Sequence, residues 1–303
     1  MTNLPHSELS HPDPSPADRA VRILQISDTH LSRARPYSVA NFAAVVAHAR
    51  RTTPDLIVNT GDIVLDDPDD ADDRAFAREQ HELLPVPWYV VPGNHDLGDG
   101  PPDPWQDQPL TAARLQAFRE VWGPDRWSLD VGAWRLIGLN SILVGSGLDD
   151  EDRSQRRWLV DQLEGADRPV ALFLHKPLFV RDPAEDGHGS VTVPDGARTE
   201  LLDLLDTGDV RLVASGHVHQ HRSHLTGGRS HVWAPTTAHL RGPGSPSPLG
   251  GVRRAGVVEI ELRPEGCSWQ ILRPEGLVDL DVADLLGGHE SLRFAPPPPL
   301  GGD

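Results

Sequence analysis

Seven residues with oxygen or imidazole donors stand just after apolar runs of this sequence: Asp28, His30, Asp62, Asn94, His175, His217 and His219. Together they form a hard-to-borderline N/O ligand set, better suited to Mn, Fe, Zn or Ni than to Ca or a thiolate-seeking metal. One ion does not need seven ligands. Two ions about 3.5 to 4 Å apart need a shared carboxylate and about three ligands each, so the count argues for a dinuclear site. The intervals 30 to 62 and 62 to 94 are both 32 residues, close to the length of one βαβ unit, so successive strands would deliver ligands to one place. Gly61, Gly93 and Gly216 are expected to let the backbone turn sharply and to leave room beside the ions.

Such a pair of ions lowers the pKa of water from 15.7 to as little as about 7, so that a bridging hydroxide can attack phosphorus in line while both ions neutralise its non-bridging oxygens. If Asn94 is a ligand, the adjacent His95 points elsewhere. His95 is then placed to contact phosphate or protonate the leaving oxygen, with Asp96 fixing its tautomer, which makes His95 and Asp96 the candidate catalytic residues. Lys176 and Arg181 are candidates for substrate phosphate and read equally well as surface charges. His221, His224, His231 and His239 follow the last ligands; a solvated loop explains them, with His221 the one expected at the pocket. The acidic run from Asp66 to Asp73 reads as a solvated turn and helix start rather than a third metal site. Trp105, Trp122, Trp127 and Trp134 read as packing, with a base-stacking wall as the alternative.

The elements that must position these residues follow from the apolar pattern. Short apolar runs alternate with amphipathic stretches: 21–27 then 39–50, 56–60 then 71–84, 88–91 then 110–121. Further strands are expected at 127–131, 134–140, 169–175, 210–215, 231–234, 257–262 and 269–272, with helices near 155–163 and 196–205. This is an α/β chain with a two-sheet core flanked by helices. The ligands fall outside the carboxyl ends of strands, where open α/β sheets place their sites. Residues 1–20 and 274–303 read as Pro-rich tails around a single domain at 21–273.

With 28 Lys and Arg against 45 Asp and Glu, the 303-residue chain has a formal charge of −17, a field that repels duplex nucleic acid and anionic membranes. Lys176 is the one lysine. A single cysteine, Cys267, requires no oxidising compartment, and the sequence shows neither a signal peptide nor a run of about 20 apolar residues. A cytoplasmic protein acting on a small molecule is expected, without duplex nucleic acid or membrane as partner and with a homodimer among the assemblies left open.

Taken singly, Asp-x-His and Gly-Asp are ordinary caps and turns. In combination, Asp28-x-His30, Gly61-Asp62, Gly93-Asn94-His95-Asp96, His175 and Gly216-His217-x-His219 resemble the five motif blocks of the calcineurin-like metallophosphoesterases, in order and over roughly residues 22–232. The resemblance implies a four-layer αββα sandwich of two mixed sheets. It implies one metal held by Asp28, His30, Asp62 and His219, a second by Asp62, Asn94, His175 and His217, and Asp62 as the bridge. It also implies hydrolysis of a phosphoester, similar to the cyclic-nucleotide and glycerophosphodiester branch. The alternatives are a phosphomonoesterase of a biosynthetic pathway and a metal-depleted scaffold, the latter marked by lost ligands, of which there are none.

Overall fold

Strand β1 (Val21–Ile26) shows how alternation builds the layers. Val21 and Ile23 turn into the space between two sheets, while Leu24 and Ile26 turn toward helices. The computed structural model describes residues 19–100, 108–185, 189–241 and 249–285. After β1 come α1 (Val39–Thr52), β2 (Leu56–Asn59), α2 (Ala71–His81), β3 (Trp88–Val90), the short α3 (Asn94–Leu97) and α4 (Ala112–Trp122). The second half runs β4 (Trp127–Val131), β5 (Trp134–Gly138), α5 (Asp149–Glu164), β6 (Val170–Phe173), α6 (Asp195–Leu205), β7 (Val210–Ser215), β8 (Arg222–Thr226), β9 (Arg229–Trp233) and β10 (His239–Leu240). It closes with β11 (Val257–Arg263), β12 (Gly266–Leu272), β13 (Leu280–Asp281) and α7 (Val282–Leu285).

One sheet has the order β12-β11-β1-β2-β3 and the other β4-β5-β6-β7-β9-β8, with β10 and β13 forming a small pair. Both are mixed: β1, β2 and β3 run parallel, as do β5, β6, β7 and β9, while antiparallel strands complete the edges. Between the sheets, Ile23, Val58 and Ile260 pack against Leu136, Phe173 and Leu212. On the outer face of the first sheet, Phe42, Val45, Val46 and Ala49 line the buried side of α1 at helical spacing. The outer face of the second is covered by Leu159 and Leu163 of α5 and Leu201 and Leu205 of α6. The result is a four-layer αββα sandwich. Two indoles join its sheets: Trp127 donates Nε1–H to Val90 O at 2.7 Å, and Trp134 does so to Arg263 O at 2.7 Å. Trp122 is buried against Trp88, Phe118 and His81, so three of the four tryptophans pack; Trp105, with the Pro-rich stretch around it, lies outside the described residues.

The acidic run is a helix start, as expected, but several of its carboxylates are engaged. Asp70 caps α2 by accepting from Asp73 N–H at 2.9 Å, while Asp66 pairs with Arg35 and Asp69 with Arg114. Two expectations need correction. Residues 274–285, expected in a tail, include the buried Leu277, the strand β13 and a link from Val278 N–H to Asn41 Oδ1 at 3.0 Å. The histidines after the last ligands do not form a solvated loop. The β8–β9 pairing stacks His224 on His231 with ring centroids 5.0 Å apart, against Phe179. Among the described residues, no helix is long and apolar enough to cross a membrane.

Candidate metal centre

Each of the seven residues follows the carboxyl end of β1, β2, β3, β6 or β7, six of them in loops and Asn94 as the first residue of α3. The loops meet because the two parallel runs end at the same rim. Main-chain bonds extend the β1–β2 ladder into it: Asp28 N–H to Gly61 O at 2.9 Å and His30 N–H to Asp62 O at 3.0 Å. Asp28, His30, Asp62, His217 and His219 have φ between 43° and 71°, the left-handed region that costs a side-chain-bearing residue of order 1 kcal/mol or more. Five such residues in one site show a backbone bent to aim side chains rather than to relieve strain. Gly61 also has positive φ, +95°, and a Cβ there would meet His175 Nδ1 at 2.7 Å. Gly93, with φ −106°, adopts an angle open to any residue; it is needed because a Cβ would run into the Asp62 carboxylate.

The imidazole nitrogens can be sorted by what they touch. A carbonyl only accepts, so the ring atom facing one carries the hydrogen. His30 Nδ1 donates to Leu65 O at 3.0 Å, His219 Nδ1 to His239 O at 2.6 Å, His175 Nδ1 to Thr60 O at 2.7 Å and His217 Nε2 to Ser190 O at 2.9 Å. The opposite nitrogens turn inward. His30 Nε2 comes within 3.1 Å of His219 Nε2, and His217 Nδ1 within 3.0 Å of His175 Nε2, itself 3.2 Å from Asn94 Oδ1. Burial, foremost, holds His30 and His217 well below the ordinary imidazole range, so both rings are neutral and their inward nitrogens bear lone pairs.

Asp62 lies between two groups. Its Oδ1 is 3.2 Å from His175 Nε2, and its Oδ2 is 3.8 Å from His30 Nε2. Asp28, His30, Asp62 and His219 form one cluster that could hold a metal, and Asp62, His175 and His217 another. The donors fit divalent cations on physical grounds. Asp28 Oδ1 is buried without a hydrogen bond, 3.3 Å from His219 Nε2, and two carboxylates, Asp28 and Asp62, lie buried among the inward nitrogens. Burial opposes a charge on His175, but the Asp62 and Asp28 carboxylates overcome it and raise the ring to about 9. The centre attracts positive charge.

His95 stands at the rim. Its side chain is 24% exposed against 1% for His30, its Nε2 lies 3.9 Å from Asp62 Oδ2, and its ring meets His30 edge-on at 4.7 Å. Its backbone N–H donates to Asp62 Oδ1 at 2.9 Å. Asp96 does not fix the His95 tautomer, contrary to expectation. Its carboxylate accepts from the N–H groups of Gly93 at 2.8 Å, Ile63 at 3.0 Å and Val64 at 3.1 Å, because neighbouring residues on a helical turn project in different directions. Burial, reinforced by Asp62, raises Asp96 to about 7.

The candidate substrate contacts fare differently. Lys176 is buried, with its ammonium on both oxygens of Asp99 at 2.6 and 2.7 Å. Arg181 is exposed, and its N–H bonds Glu185. His221 lies outside both clusters, bonded through Nδ1 to Trp233 O at 2.8 Å. His239 is the histidine that sequence reasoning missed: buried, it packs on His30 at 4.6 Å and His219 at 4.9 Å and forms a third possible group with them. Thr236 and Thr237 carry it there by bonding the carbonyls of Asp28 and Ser27.

The chain resembles known proteins. Rattus norvegicus serine/threonine-protein phosphatase CPPED1 is 30% identical over 178 residues, which are 55% of this chain and 54% of that protein; the chain thus spans about half the length of that relative. A probable cyclic nucleotide phosphodiesterase of Synechococcus sp. (strain WH7803) is 29% identical over 266 residues, 81% of this chain and 93% of the relative. The structure of a dimetal phosphatase from Danio rerio superposes with a TM-score of 0.54 at 14% identity, over 84% of this chain and 99% of that one, a likeness of fold. The family model of the calcineurin-like phosphoesterases matches residues 21–221, two thirds of the sequence and every motif block at the rim. The chain belongs to that family of hydrolases.

Proposed function

We propose that this protein is a two-ion phosphoesterase acting on a small phosphodiester, with a 3',5'-cyclic nucleotide as candidate substrate. The observation that carries the reading is Asp62, whose two carboxylate oxygens face separate imidazole groups. One ion would be held by Asp28, His30, Asp62 and His219, the other by Asp62, Asn94, His175 and His217. Bound there, divalent ions supply charge for the phosphoryl oxygens and a water acid enough to react near neutral pH.

The protein's own groups do the rest. Carbonyls of Leu65, Thr60, Ser190 and His239 hold four rings in the required tautomer. His95, the open imidazole at the rim, contacts the phosphoryl group and gives a proton to the leaving oxygen. Asp96 holds the turns of Asp62 and Asn94 through three backbone amides.

A diester fits because Lys176, next to His175, is already neutralised by Asp99, and the second negative charge of a monoester would find less compensation. Similarity over 93% of a probable cyclic nucleotide phosphodiesterase points the same way. The second reading, a phosphatase acting on a small monoester, is favoured by the likeness to a protein phosphatase over 54% of its length. The single half-buried Cys267 suits a cytoplasmic setting. Assay of the purified protein with Mn2+ on 3',5'-cyclic AMP, bis-p-nitrophenyl phosphate and p-nitrophenyl phosphate separates the two. Diester hydrolysis is expected; a preference of several hundredfold for the monoester would promote the phosphatase.

A further inference from the structure

Asn94 and His175 reach the same cluster from different sheets. Asn94 opens α3 just past β3, the edge of the five-stranded sheet, and His175 lies two residues past β6, inside the six-stranded one. No ladder joins those strands, so the distance between their loops must be set by other means. The loops of Asp28, His30 and Asp62 are fastened by the main-chain bonds that prolong the β1–β2 ladder, and His217 N–H anchors the β7 loop on Asp28 Oδ2 at 3.1 Å.

Between the Asn94 loop and the His175 loop lies an ion pair. Lys176 follows His175 directly, and its main-chain N–H is held by Ser141 Oγ at 2.9 Å. Its ammonium reaches Asp99, five residues past Asn94, and donates to Oδ1 at 2.6 Å and Oδ2 at 2.7 Å; both side chains are 4% exposed. Asp99 is itself fixed through its backbone, N–H to Gln108 O and O from Leu110 N–H, both at 2.8 Å. A buried, two-pronged, charge-assisted contact is directional, which an apolar contact is not.

We propose that the Lys176–Asp99 pair is a positioning device for the cluster of Asp62, Asn94, His175 and His217, holding the Asn94 loop of one sheet at a set distance from the His175 loop of the other. The proposal rests on the two-ion reading of the site. Lys176 is then no contact for substrate; it acts through His175. Losing the tie weakens one ion and spares the other: the loops of Asp28, His30 and Asp62 are joined by main-chain bonds and the His219 loop is anchored on Asp28, none of which a substitution at 176 or 99 removes.

Calorimetric titration of the metal-stripped full-length protein with Mn2+ tests this. Lys176→Met alone would leave Asp99 as a buried unpaired charge and endanger the fold. The informative variant therefore combines Lys176→Met with Asp99→Leu, which removes both charges and keeps an apolar contact. Its metal-free melting temperature is expected to stay near wild type, with one Mn2+ site unchanged and the other weakened about 10- to 100-fold, the usual effect of losing a residue that orients a ligand. Asp99→Asn, which keeps the shape and one acceptor oxygen, should show a smaller loss at the same site. Unchanged affinity at both sites in both variants overturns the proposal, and so does an equal loss at both, which would mark general loosening. A wild-type protein that takes up only one Mn2+ overturns the two-ion reading and this proposal with it.

Discussion

His30 Nε2 lies 3.1 Å from His219 Nε2, and each ring's Nδ1–H is already given to a backbone carbonyl. His30 is held neutral by burial and so turns an acceptor nitrogen inward, beside the buried carboxylates of Asp28 and Asp62, a donor set that draws a cation. Binding to the folded state alone stabilises it by about 2.7 kcal/mol per site at a hundredfold excess over Kd. For a domain of this size each kcal/mol moves Tm by roughly 2 to 4 °C. Mn2+ added to chelator-stripped protein should therefore raise Tm by roughly 5 to 10 °C per occupied site, read by scanning calorimetry; an unmoved Tm would contradict the fit of these donors to a metal.

His95→Ala should retain its metal and lose activity selectively. A proton donor contributes about 10²- to 10⁴-fold where the leaving oxygen is strongly basic and little where it is an activated phenol. Alkyl diesters should slow far more than bis-p-nitrophenyl phosphate in steady-state assays. Equal losses on both would leave His95 a phosphate contact without a proton-transfer role.

The loops of the candidate ligands were legible because each is local: a polar residue directly after an apolar run, five times over, with parallel strands to gather them at one rim. Partnerships across the chain were not legible. Lys176 looked available for phosphate because its partner Asp99 lies 77 positions away. His239 looked like loop because its burial depends on Thr236 bonding Asp28, 208 positions earlier. Strand β8 was missed because an edge strand with half-exposed residues is polar, and only its register on β9 makes it a strand.

Asp96→Ala separates bracing from catalysis. Losing an acceptor for three buried amides leaves groups that cost about 1 to 3 kcal/mol each when unsatisfied, less where water enters. Urea denaturation should show a loss of about 2 kcal/mol or more, with reduced metal content. A variant with wild-type stability and a large fall in kcat would return Asp96 to a catalytic role.

His81, outside the candidate metal clusters, should govern part of the acid sensitivity. It is buried beneath Phe42, Trp88 and Trp122, with Nδ1 donating to Ala77 O at 2.8 Å and Nε2 accepting from Asn59 at 2.9 Å. Burial lowers it to about 4. The unfolded ring protonates near 6.5, so this contribution is intact above that pH, falls as pH drops, and is lost by about 4. The loss is of order 3 kcal/mol. In His81→Gln the deficit relative to wild type should shrink by about that much between neutral pH and pH 4 in urea titrations; a pH-independent deficit would show that the ring is not held neutral by the fold.

The most direct measurement is the metal content of Asp62→Ala beside that of the wild type, both purified from metal-supplemented cultures and assayed for diester hydrolysis. Asp62 presents Oδ1 to His175 and Oδ2 to His30, so the account predicts close to two transition-metal equivalents in the wild type. In the variant it predicts loss of both ions together with activity, and a lowered Tm, since binding energy is also folding energy. One equivalent in the wild type, or a variant that keeps both ions and its activity, would contradict it.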